Sequence, residues 1–164
     1  MTMPEEPYTM VTASTPLHYQ HARLLFTQYQ QFLGEDLCFQ QFEEELNSLA
    51  TMYAPPAGNL WLAYQGNEPI GCVAIRPKSQ GVAEMKRLFV LPQAQGTGLG
   101  RQLALASLQF ARQAGYQSLV LDTLERLKPA LALYTSLGFT PIPAYYHNPL
   151  PGVVYLQKTL NTSS

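Results

Sequence analysis

The sequence predicts an α/β protein in which a mixed sheet of about six to seven strands carries helices on both faces. Three observations predict this class. Strand and helix signals alternate in the second half of the chain, after an antiparallel hairpin in the first half. The composition, with 46% hydrophobic and 13% charged residues, supports one packed core. The length of 164 residues fits one domain of ordinary size.

The amino-terminal part of the chain predicts one strand followed by two helices. Residues 8–13 have the composition of a strand. Thr15 and Pro16 mark a helix start, as N-cap and first helical residue, and Gly34 ends this helix. A second helix is predicted over residues 39–49, where apolar side chains recur on one face.

Three predicted strands come next. Residues 60–64 and 70–75 flank the pair Gly66-Asn67, which is typical of hairpin turns. A third run, residues 82–91, ends at Pro92, because proline cannot donate a backbone hydrogen bond to a neighbouring strand.

The last part of the chain alternates between helix and strand. Residues 98–114 predict an amphipathic helix. Residues 118–122 predict a short strand, and residues 129–137 predict a helix opened by its own proline. Late strands are expected at Phe139 and at residues 153–156, on either side of a Pro-rich loop.

Composition argues against several partners. Ten basic and eleven acidic side chains give a formal net charge of −1, which is unlike a nucleic-acid-binding protein. Cys38 and Cys72 form no Cys-x-x-Cys pair and the chain has three histidines, so we expect no metal site. No apolar run approaches the ~20 residues of a membrane span. The first residues include Glu5 and Glu6 and lack the pattern of a signal peptide, so we expect a cytoplasmic protein without a membrane partner.

The strongest local signal is the segment Gln95-Gly96-Thr97-Gly98-Leu99-Gly100, between a predicted strand and a predicted helix. Its glycines let the backbone turn tightly and approach a ligand closely. The first amides of the following helix have no internal acceptor and lie at the positive end of its dipole, so a phosphate or pyrophosphate is the natural occupant. Arg101 would add a positive charge. The alternative is a tight loop whose glycines allow close packing of helix on strand.

Two other phosphate-binding loops fit this segment less well. A P-loop requires Lys and then Ser or Thr after its last glycine, whereas this chain continues Gly100-Arg101-Gln102. A dinucleotide-binding loop directly follows a first strand and has an acidic residue about 20 residues further on. Asp122 lies 22 residues beyond Gly100, but the glycine spacing differs and the loop follows the fourth predicted strand.

Two separated motifs resemble a known family. Residues 84–90, with the sequence Glu-Met-Lys-Arg-Leu-Phe-Val, and the Gln-x-x-Gly-x-Gly pattern of residues 95–100 resemble motif A of the GNAT N-acetyltransferase superfamily. Residues 132–139 resemble motif B, in which a helix leads into Gly-Phe. The resemblance covers most of the chain and implies one GNAT-like domain over residues 1–164, with short flexible tails at residues 1–7 and 161–164.

The resemblance implies an N-acetyltransferase that uses acetyl-CoA as cosubstrate. It would move the acetyl group directly to a primary amine of a small molecule or peptide. In the family, the strand before the loop splays from the next strand, and the pantetheine arm lies in the gap. The residues implied in CoA binding are Leu88, Phe89, Val90, Gln95, Gly96, Thr97, Gly98, Leu99, Gly100 and Arg101.

Two catalytic residues are implied by the same resemblance. Tyr134 matches the tyrosine that often donates a proton to the leaving sulfur. The alternative interpretation is that Tyr134 is a buried structural residue whose hydroxyl is hydrogen-bonded within the protein. Glu84 matches the residue that serves as the base in some members, where it acts through a water molecule. The alternative interpretation is that Glu84 is a structural carboxylate paired with the neighbouring Lys86 or Arg87. Strand alternation predicts that one face carries Glu84, Lys86, Leu88 and Val90.

One segment departs from the family pattern. Many members carry an asparagine after the strand that follows the glycine helix, where it contacts the pantetheine arm, and residues 122–128 contain none. Thr123 would offer a hydroxyl there, and Lys128 would offer a charge to a CoA phosphate. The orientation of CoA on this side of the site is therefore open.

The sequence does not select the acceptor. The acidic residues Glu35, Asp36 and residues 43–45 would suit a cationic amine, or they mark a solvated helix start. Residues 145–148, Tyr-Tyr-His-Asn, either line an acceptor pocket or cover the edge of the sheet. We also leave open whether the chain forms a homodimer.

Two other functions are alternatives. A non-catalytic acyl-CoA-binding module on the same fold would bind CoA without turnover. A dinucleotide-dependent oxidoreductase is disfavoured by the glycine spacing and by the order of the predicted strands.

Overall fold

The computed structural model describes residues 8–35 and 41–160. The flexible tails expected at residues 1–7 and 161–164 lie outside these ranges, as do Asp36, Cys38 and Phe39. The helices and strands follow in this order: β1 (Thr9–Thr12), α1 (Pro16–Leu33), α2 (Phe42–Leu46), α3 (Leu49–Met52), β2 (Asn59–Gln65), β3 (Glu68–Ser79), β4 (Val82–Val90), a 3-10 helix (Pro92–Ala94), α4 (Leu99–Gln113), β5 (Ser118–Leu124), α5 (Lys128–Ser136), β6 (Thr140–Pro141) and β7 (Val153–Thr159).

The strands form one seven-stranded sheet in the order β1-β2-β3-β4-β5-β7-β6. Among the described strands, β4 and β5 pair in parallel and all other neighbours pair antiparallel. The parallel pair is connected through α4, as a crossover requires. The predicted mixed sheet of six to seven strands is therefore confirmed.

Helix α1 begins and ends where local sequence signals predict. The Thr15 hydroxyl accepts a hydrogen bond from the His18 amide at 3.1 Å, and the His18 ring accepts one from the Thr15 amide at 3.3 Å. This reciprocal cap satisfies two donors that have no partner within the helix. At the other end, Gly34 has a left-handed φ of 69°, which favours glycine. The predicted boundaries of this helix are confirmed.

The single helix predicted over residues 39–49 is wrong in the described part of the chain. Two short helices, α2 and α3, occur there, and the chain breaks between them at Asn47 and Ser48. The Ser48 hydroxyl donates to the carbonyl of Glu44 at 2.5 Å, a local bond of the kind that competes with helix continuation. Apolar spacing alone did not reveal this interruption.

Apolar residues cover both faces of the sheet. One core packs beneath α4 and α5 and includes Leu99, Leu103 and Phe139. The other packs beneath α1, α2 and α3 and includes Leu25 and Phe26. Helices on both faces are thus confirmed.

Glycine at position 71 of β3 lets α4 lie close to the sheet. A Cβ atom at Gly71 would lie 3.1 Å from Leu99 Cδ2 and 3.2 Å from Leu103 Cδ1. These contacts are tighter than ordinary van der Waals packing. The glycine therefore fixes how near the first turn of α4 lies to the strands.

Strand β4 separates from β5 after its first three residues. The two strands pair at Val82, Ala83 and Glu84, and the rest of β4 pairs with β3 but not with β5. The splay that we expected between these strands is present. It opens a gap between the second half of β4 and residues 121–124 of β5.

A bulge at Arg87 corrects the predicted alternation along β4. Arg87 has a φ of 60°, and the register of β4 against β3 shifts at this point. Such a bulge inserts one residue and reverses which face the following side chains occupy. Lys86 therefore pairs with Ala74 on the α1 side of the sheet, whereas Leu88 and Val90 pack in the α4 core. The prediction that Glu84 and Lys86 share a face with Leu88 and Val90 is wrong.

Candidate active site

Two cavities occupy the gap between β4 and β5. The first, here the polar cavity, is lined by Lys86, Arg87, Asp122 and Asn148 among others. The second, here the apolar cavity, lies towards α4 and α5; among its lining residues are Phe89, Val90, Gly100 and Leu133. Four residues line both cavities: Tyr29, Leu88, Thr123 and Tyr134. A ligand in one cavity would therefore meet a ligand in the other at these side chains.

Tyr134 of α5 lies at this shared boundary. It is 6% exposed, and its ring packs edge-on against Phe139 at 5.7 Å between centroids. Within the described residues its hydroxyl has no hydrogen-bond partner, so the alternative of a satisfied structural hydroxyl lacks support. Burial, helped by the negative potentials of Tyr29 and Asp122, raises the pKa of Tyr134 well above its usual value. The hydroxyl therefore carries its proton at neutral pH.

The glycine loop leaves backbone amides open to a ligand. Gly96 and Gly98 have left-handed φ values of 82° and 85°, and a Cβ atom on either would meet nothing within 4 Å. The first backbone bond of α4 runs from the Gln102 amide to the Gly98 carbonyl at 3.1 Å. The amides of residues 96–101 that precede it have no acceptor inside the helix and lie at the positive end of its dipole.

Side chains brace this loop from below. The Thr97 hydroxyl donates to the carbonyl of Ala94 at 2.6 Å, and the Gln95 side-chain amide donates to the carbonyl of Val90 at 3.2 Å. The first bond ties the loop to the 3-10 helix, and the second ties it to the end of β4. Thr97 and Gln95 thereby hold the glycine backbone in position.

The edge of β4 that faces the gap carries unpaired backbone groups. The Leu91 amide donates to Ile70 of β3 at 2.9 Å. Because successive amides of a strand point to opposite edges, the Val90 N–H points to the open edge. By the same alternation the Phe89 amide points to β3, so the open edge is formed by the backbone of Leu88 and Val90.

The two cationic residues predicted for CoA lie outside both cavities. Arg101 is exposed and donates to the Ser136 hydroxyl at 3.1 Å. Lys128 is the exposed first residue of α5. Neither lines the polar or the apolar cavity, in contrast to Thr123, which lines both.

Glu84 is 1% exposed and has a partner on each oxygen. Arg76 contacts Oε1 at 2.9 Å through Nη2 and at 3.0 Å through Nε, and the Tyr145 hydroxyl donates to Oε2 at 2.7 Å. Burial would raise the pKa of Glu84, but Lys86, Tyr145 and Arg76 together lower it below its usual value. Glu84 lines neither cavity, and its ion-pair partner is Arg76 rather than the Lys86 or Arg87 considered from the sequence.

The loop of residues 145–148 contacts the sheet and reaches the polar cavity. Tyr145 bonds to Glu84 and packs on the sheet beside Tyr155. The Tyr146 hydroxyl and the Asn148 side chain both donate to Asp122 Oδ2, the latter at 2.7 Å. Asn148 also lines the polar cavity. The loop therefore covers the sheet and forms one wall of the site.

The acidic residues predicted to attract a cation are dispersed. Glu43 and Glu44 are exposed on α2, and Glu35 contacts Arg126 at 3.9 Å. Glu45 instead is buried and accepts two hydrogen bonds from Arg87, at 2.6 and 3.0 Å. None of the four lines the polar or the apolar cavity.

Sequence reasoning missed several residues of the site. Tyr29 of α1 lines both cavities, and burial raises its pKa to about 12. Its position on a helix predicted only for packing gave no signal of this role. Lys86 and Asp122 were considered as an ion-pair partner and as a dinucleotide contact, not as walls of one cavity. Their proximity depends on the splay of two strands that are distant in sequence.

The described residues contain neither a metal-binding cluster nor a membrane-spanning helix. No group of three or more His, Cys, Asp or Glu side chains in residues 8–35 and 41–160 could hold a metal ion. No helix in the described part of the chain is long and apolar enough to cross a membrane.

Comparisons with known proteins agree on one family. The family model described as Acetyltransferase (GNAT) family matches residues 20–139. An uncharacterized N-acetyltransferase of Schizosaccharomyces pombe is 42% identical over 141 residues, which cover 85% of this chain and 86% of that protein. A mycothiol acetyltransferase of Thermomonospora curvata is 39% identical over 98 residues, which cover 58% of this chain and 33% of that protein.

A solved acetyltransferase structure from Streptococcus agalactiae has the same fold. It superimposes with a TM-score of 0.80 and covers 94% of this chain and 99% of its own, at 22% sequence identity.

Proposed function

The chain belongs to the GNAT acetyltransferase family and is an acyl-CoA-dependent N-acetyltransferase, and from that premise we propose how its site works. Acetyl-CoA is the proposed acyl donor, and a primary amine of a small molecule or peptide is the proposed acceptor. The donor takes the apolar cavity and the glycine loop, and the acceptor takes the polar cavity.

The observation that carries this proposal is the shared boundary of the two cavities. Tyr29, Leu88, Thr123 and Tyr134 line both, so donor and acceptor would meet there and nowhere else along the described gap. Holding two reactants in contact is itself a large part of catalysis. Two tyrosine hydroxyls, those of Tyr29 and Tyr134, lie at this boundary, and Tyr134 is the one that matches the proton donor of the family.

The residues present fit the chemistry of acetyl-CoA. The open amides of residues 96–101 suit its pyrophosphate, and the unpaired edge of β4 suits the amides of its pantetheine arm. Lys128 and Arg101, both exposed near the mouth, are assigned to outer phosphates, and Thr123 to the arm. When bound, acetyl-CoA supplies the acetyl group as a thioester and leaves as a thiolate.

Two groups of the chain would act on the reacting atoms. The Val90 N–H, on the open edge of β4, is placed to stabilise negative charge on the thioester oxygen. The Tyr134 hydroxyl is placed to protonate the departing sulfur.

Glu84 enters the proposal as a base that acts through water. Both of its oxygens have partners and it lines neither cavity, so direct contact with the acceptor amine is not part of the proposal. Tyr145, which bonds to Glu84, links it to the loop that walls the polar cavity. A Glu84→Gln variant with an unaltered alkaline rate profile would leave Glu84 with a structural role alone.

The proposal extends to location and assembly. A cytoplasmic location, expected from the sequence, is tested by cell fractionation. A homodimer is tested by light scattering of the purified protein. Neither result bears on the assignment of the two cavities.

The test of the proposed function is a Tyr134→Phe variant assayed for thiol release with acetyl-CoA and a panel of amines. Loss of a general acid typically lowers the rate by 10²–10⁴-fold, so we expect kcat to fall by about 10²-fold. The KM for acetyl-CoA should change little, because the phenyl ring still fills the boundary.

A Tyr116→Phe variant is the matched control. It removes a hydroxyl that bonds to the carbonyl of Ala57 at 2.6 Å, away from both cavities, and should keep full activity. Unchanged turnover of Tyr134→Phe at every pH would remove the role of Tyr134. Binding of CoA without thiol release for any amine would favour a non-catalytic acyl-CoA-binding module instead.

A further inference from the structure

Lys86 is a buried cation without a partner. Its side chain lines the polar cavity and is 8% exposed, yet within the described residues it has no hydrogen bond and no carboxylate within 4 Å. Its two cationic neighbours differ in this respect. Arg76 has Glu84 at 2.9 Å, and Arg87 has Glu45 at 2.6 Å.

The charges of this cluster leave one positive charge in excess. Three cations, Lys86, Arg76 and Arg87, face two carboxylates, Glu84 and Glu45, and both carboxylates are engaged by the arginines. Glu84 and Glu45 favour the charge of Lys86 at longer range, but burial and the neighbouring arginines oppose it more strongly, so the buried ammonium remains costly. A ligand with a single negative charge would complete the cluster.

The same cavity carries an anionic group at another point. Asp122 lines it and accepts hydrogen bonds from Tyr146 and Asn148 on Oδ2. No described donor contacts Oδ1, and no ion pair within 4 Å joins Asp122 to Lys86. The polar cavity therefore presents one cation and one anion that do not neutralise each other.

We propose that the acceptor is an amino acid or a close analogue, with its carboxylate at Lys86 Nζ and its amino group beside Asp122. This inference rests on the proposed function, since it names the acceptor class of the same site. A monoanionic carboxylate matches the single excess charge, whereas a dianionic phosphate would leave one negative charge unbalanced in the cavity that Asp122 lines.

Burial at Lys86 agrees with this assignment. Desolvation, with a further contribution from Arg87, lowers the pKa of Lys86 to about 8. The side chain is still mainly protonated at neutral pH and available to a carboxylate. A bound carboxylate would raise the pKa towards its usual value.

The first experiment compares matched acceptors. Each amino acid of a panel is assayed beside its amide and its decarboxylated amine, with thiol release from acetyl-CoA as the readout. We expect kcat/KM for at least one free amino acid to exceed that of its amide and its amine by tenfold or more. Equal use of all three forms would overturn the inference and leave the proposed function intact.

The second experiment assigns the preference to Lys86. A Lys86→Met variant should lose the preference through a raised KM for the free acids, and the ratio of kcat/KM between each acid and its own amide and amine isolates the carboxylate contact from any general effect on turnover. Lys86→Arg should keep part of the preference because it keeps the charge. Lys158→Met, the same change on β7 and outside both cavities, should behave as the wild type. A preference that survives in Lys86→Met would overturn the inference.

A binding measurement separates the two claims. N-acetyl amino acids and their amides, as product analogues, are compared by thermal shift in wild type and Lys86→Met. Stabilisation of the wild type by the free acids alone, lost in Lys86→Met, supports the inference even if no acceptor is turned over, in which case the proposed function fails. No difference between acids and amides in the wild type overturns the inference whatever the activity.

Discussion

Two buried cations, Lys86 and Arg87, and the partly exposed Arg76 lie close together on the sheet, and the three are not equally compensated. Arg76 and Arg87 each hold a carboxylate at salt-bridge distance, and Lys86 holds none. Replacing an uncompensated buried charge by an apolar side chain of similar size is expected to stabilise a protein. Residues that weaken the fold in this way are typical of functional sites.

The depressed pKa of Lys86 gives a testable pH dependence of stability. Its folded pKa is about 8 and its unfolded value about 10.5. Between these values the unfolded chain binds a proton that the folded chain does not, so the contribution of Lys86 to the free energy of unfolding rises with pH. Lys86→Met should therefore be more stable than the wild type at pH 7, and its advantage should shrink by about 2 kcal/mol between pH 8 and 10.

Urea unfolding of both proteins at several pH values measures this difference. Cys72 and the buried tyrosines have raised pKa values and change stability in the opposite sense over part of the range. These groups are present in both proteins, so the difference between the two unfolding free energies reports on Lys86 alone. A constant gap from pH 7 to pH 10 would show that Lys86 is not desolvated.

At the scale of elements, the glycine loop is built for access rather than for packing. A Cβ atom on Gly98 would meet nothing within 4 Å, but its φ of 85° disfavours any other residue. A Gly98→Ala variant should lose about 1 kcal/mol of stability from backbone strain. Because a methyl group would stand where the phosphates approach, the KM for acetyl-CoA should rise by about tenfold or more.

Gly115 supplies the matched control for this variant. It follows α4 at the opposite end, has a φ of 88° and likewise has open space around its Cβ position. Gly115→Ala should lose similar stability in thermal unfolding and keep the wild-type KM. A similar KM for both variants would show that the loop amides do not hold the donor.

Local signals predicted most elements because each depends on nearby residues. The start of α1 was predicted from Thr15 and Pro16 and its end from Gly34, and the structure adds the reciprocal bond of His18. Apolar spacing over residues 98–114 predicted α4, which spans Leu99–Gln113. The hairpin of β2 and β3 turns at Gly66, as expected.

The bulge of β4 could not be predicted from local sequence signals. Arg87 adopts a left-handed φ without being glycine, and its guanidinium makes two hydrogen bonds to Glu45 of α2. Contacts between distant segments thus accompany a conformation that local preference disfavours. For this reason the prediction of which β4 side chains share a face, made from simple alternation, was wrong at the strand that carries most of the site.

At the scale of the whole molecule, the site arises from the separation of β4 and β5. Tyr134 and the glycine loop were predicted because their motifs are continuous in sequence. The other walls come from α1, from β5 and from the loop at Asn148, which meet only in three dimensions. Their roles could not be predicted without the topology that places α1 and α5 at the same opening.

The common wall formed by Tyr29, Leu88, Thr123 and Tyr134 has a kinetic consequence. In the proposed arrangement both reactants are bound together, and Cys72 of β3 lies fully buried with its Sγ bonded to the Arg87 carbonyl. No acyl-enzyme is needed, so double-reciprocal plots of initial rate at several fixed amine concentrations should give lines that intersect. Parallel lines, the pattern of a ping-pong mechanism, would mean that the acetyl group is first transferred to a residue of the protein and then to the amine.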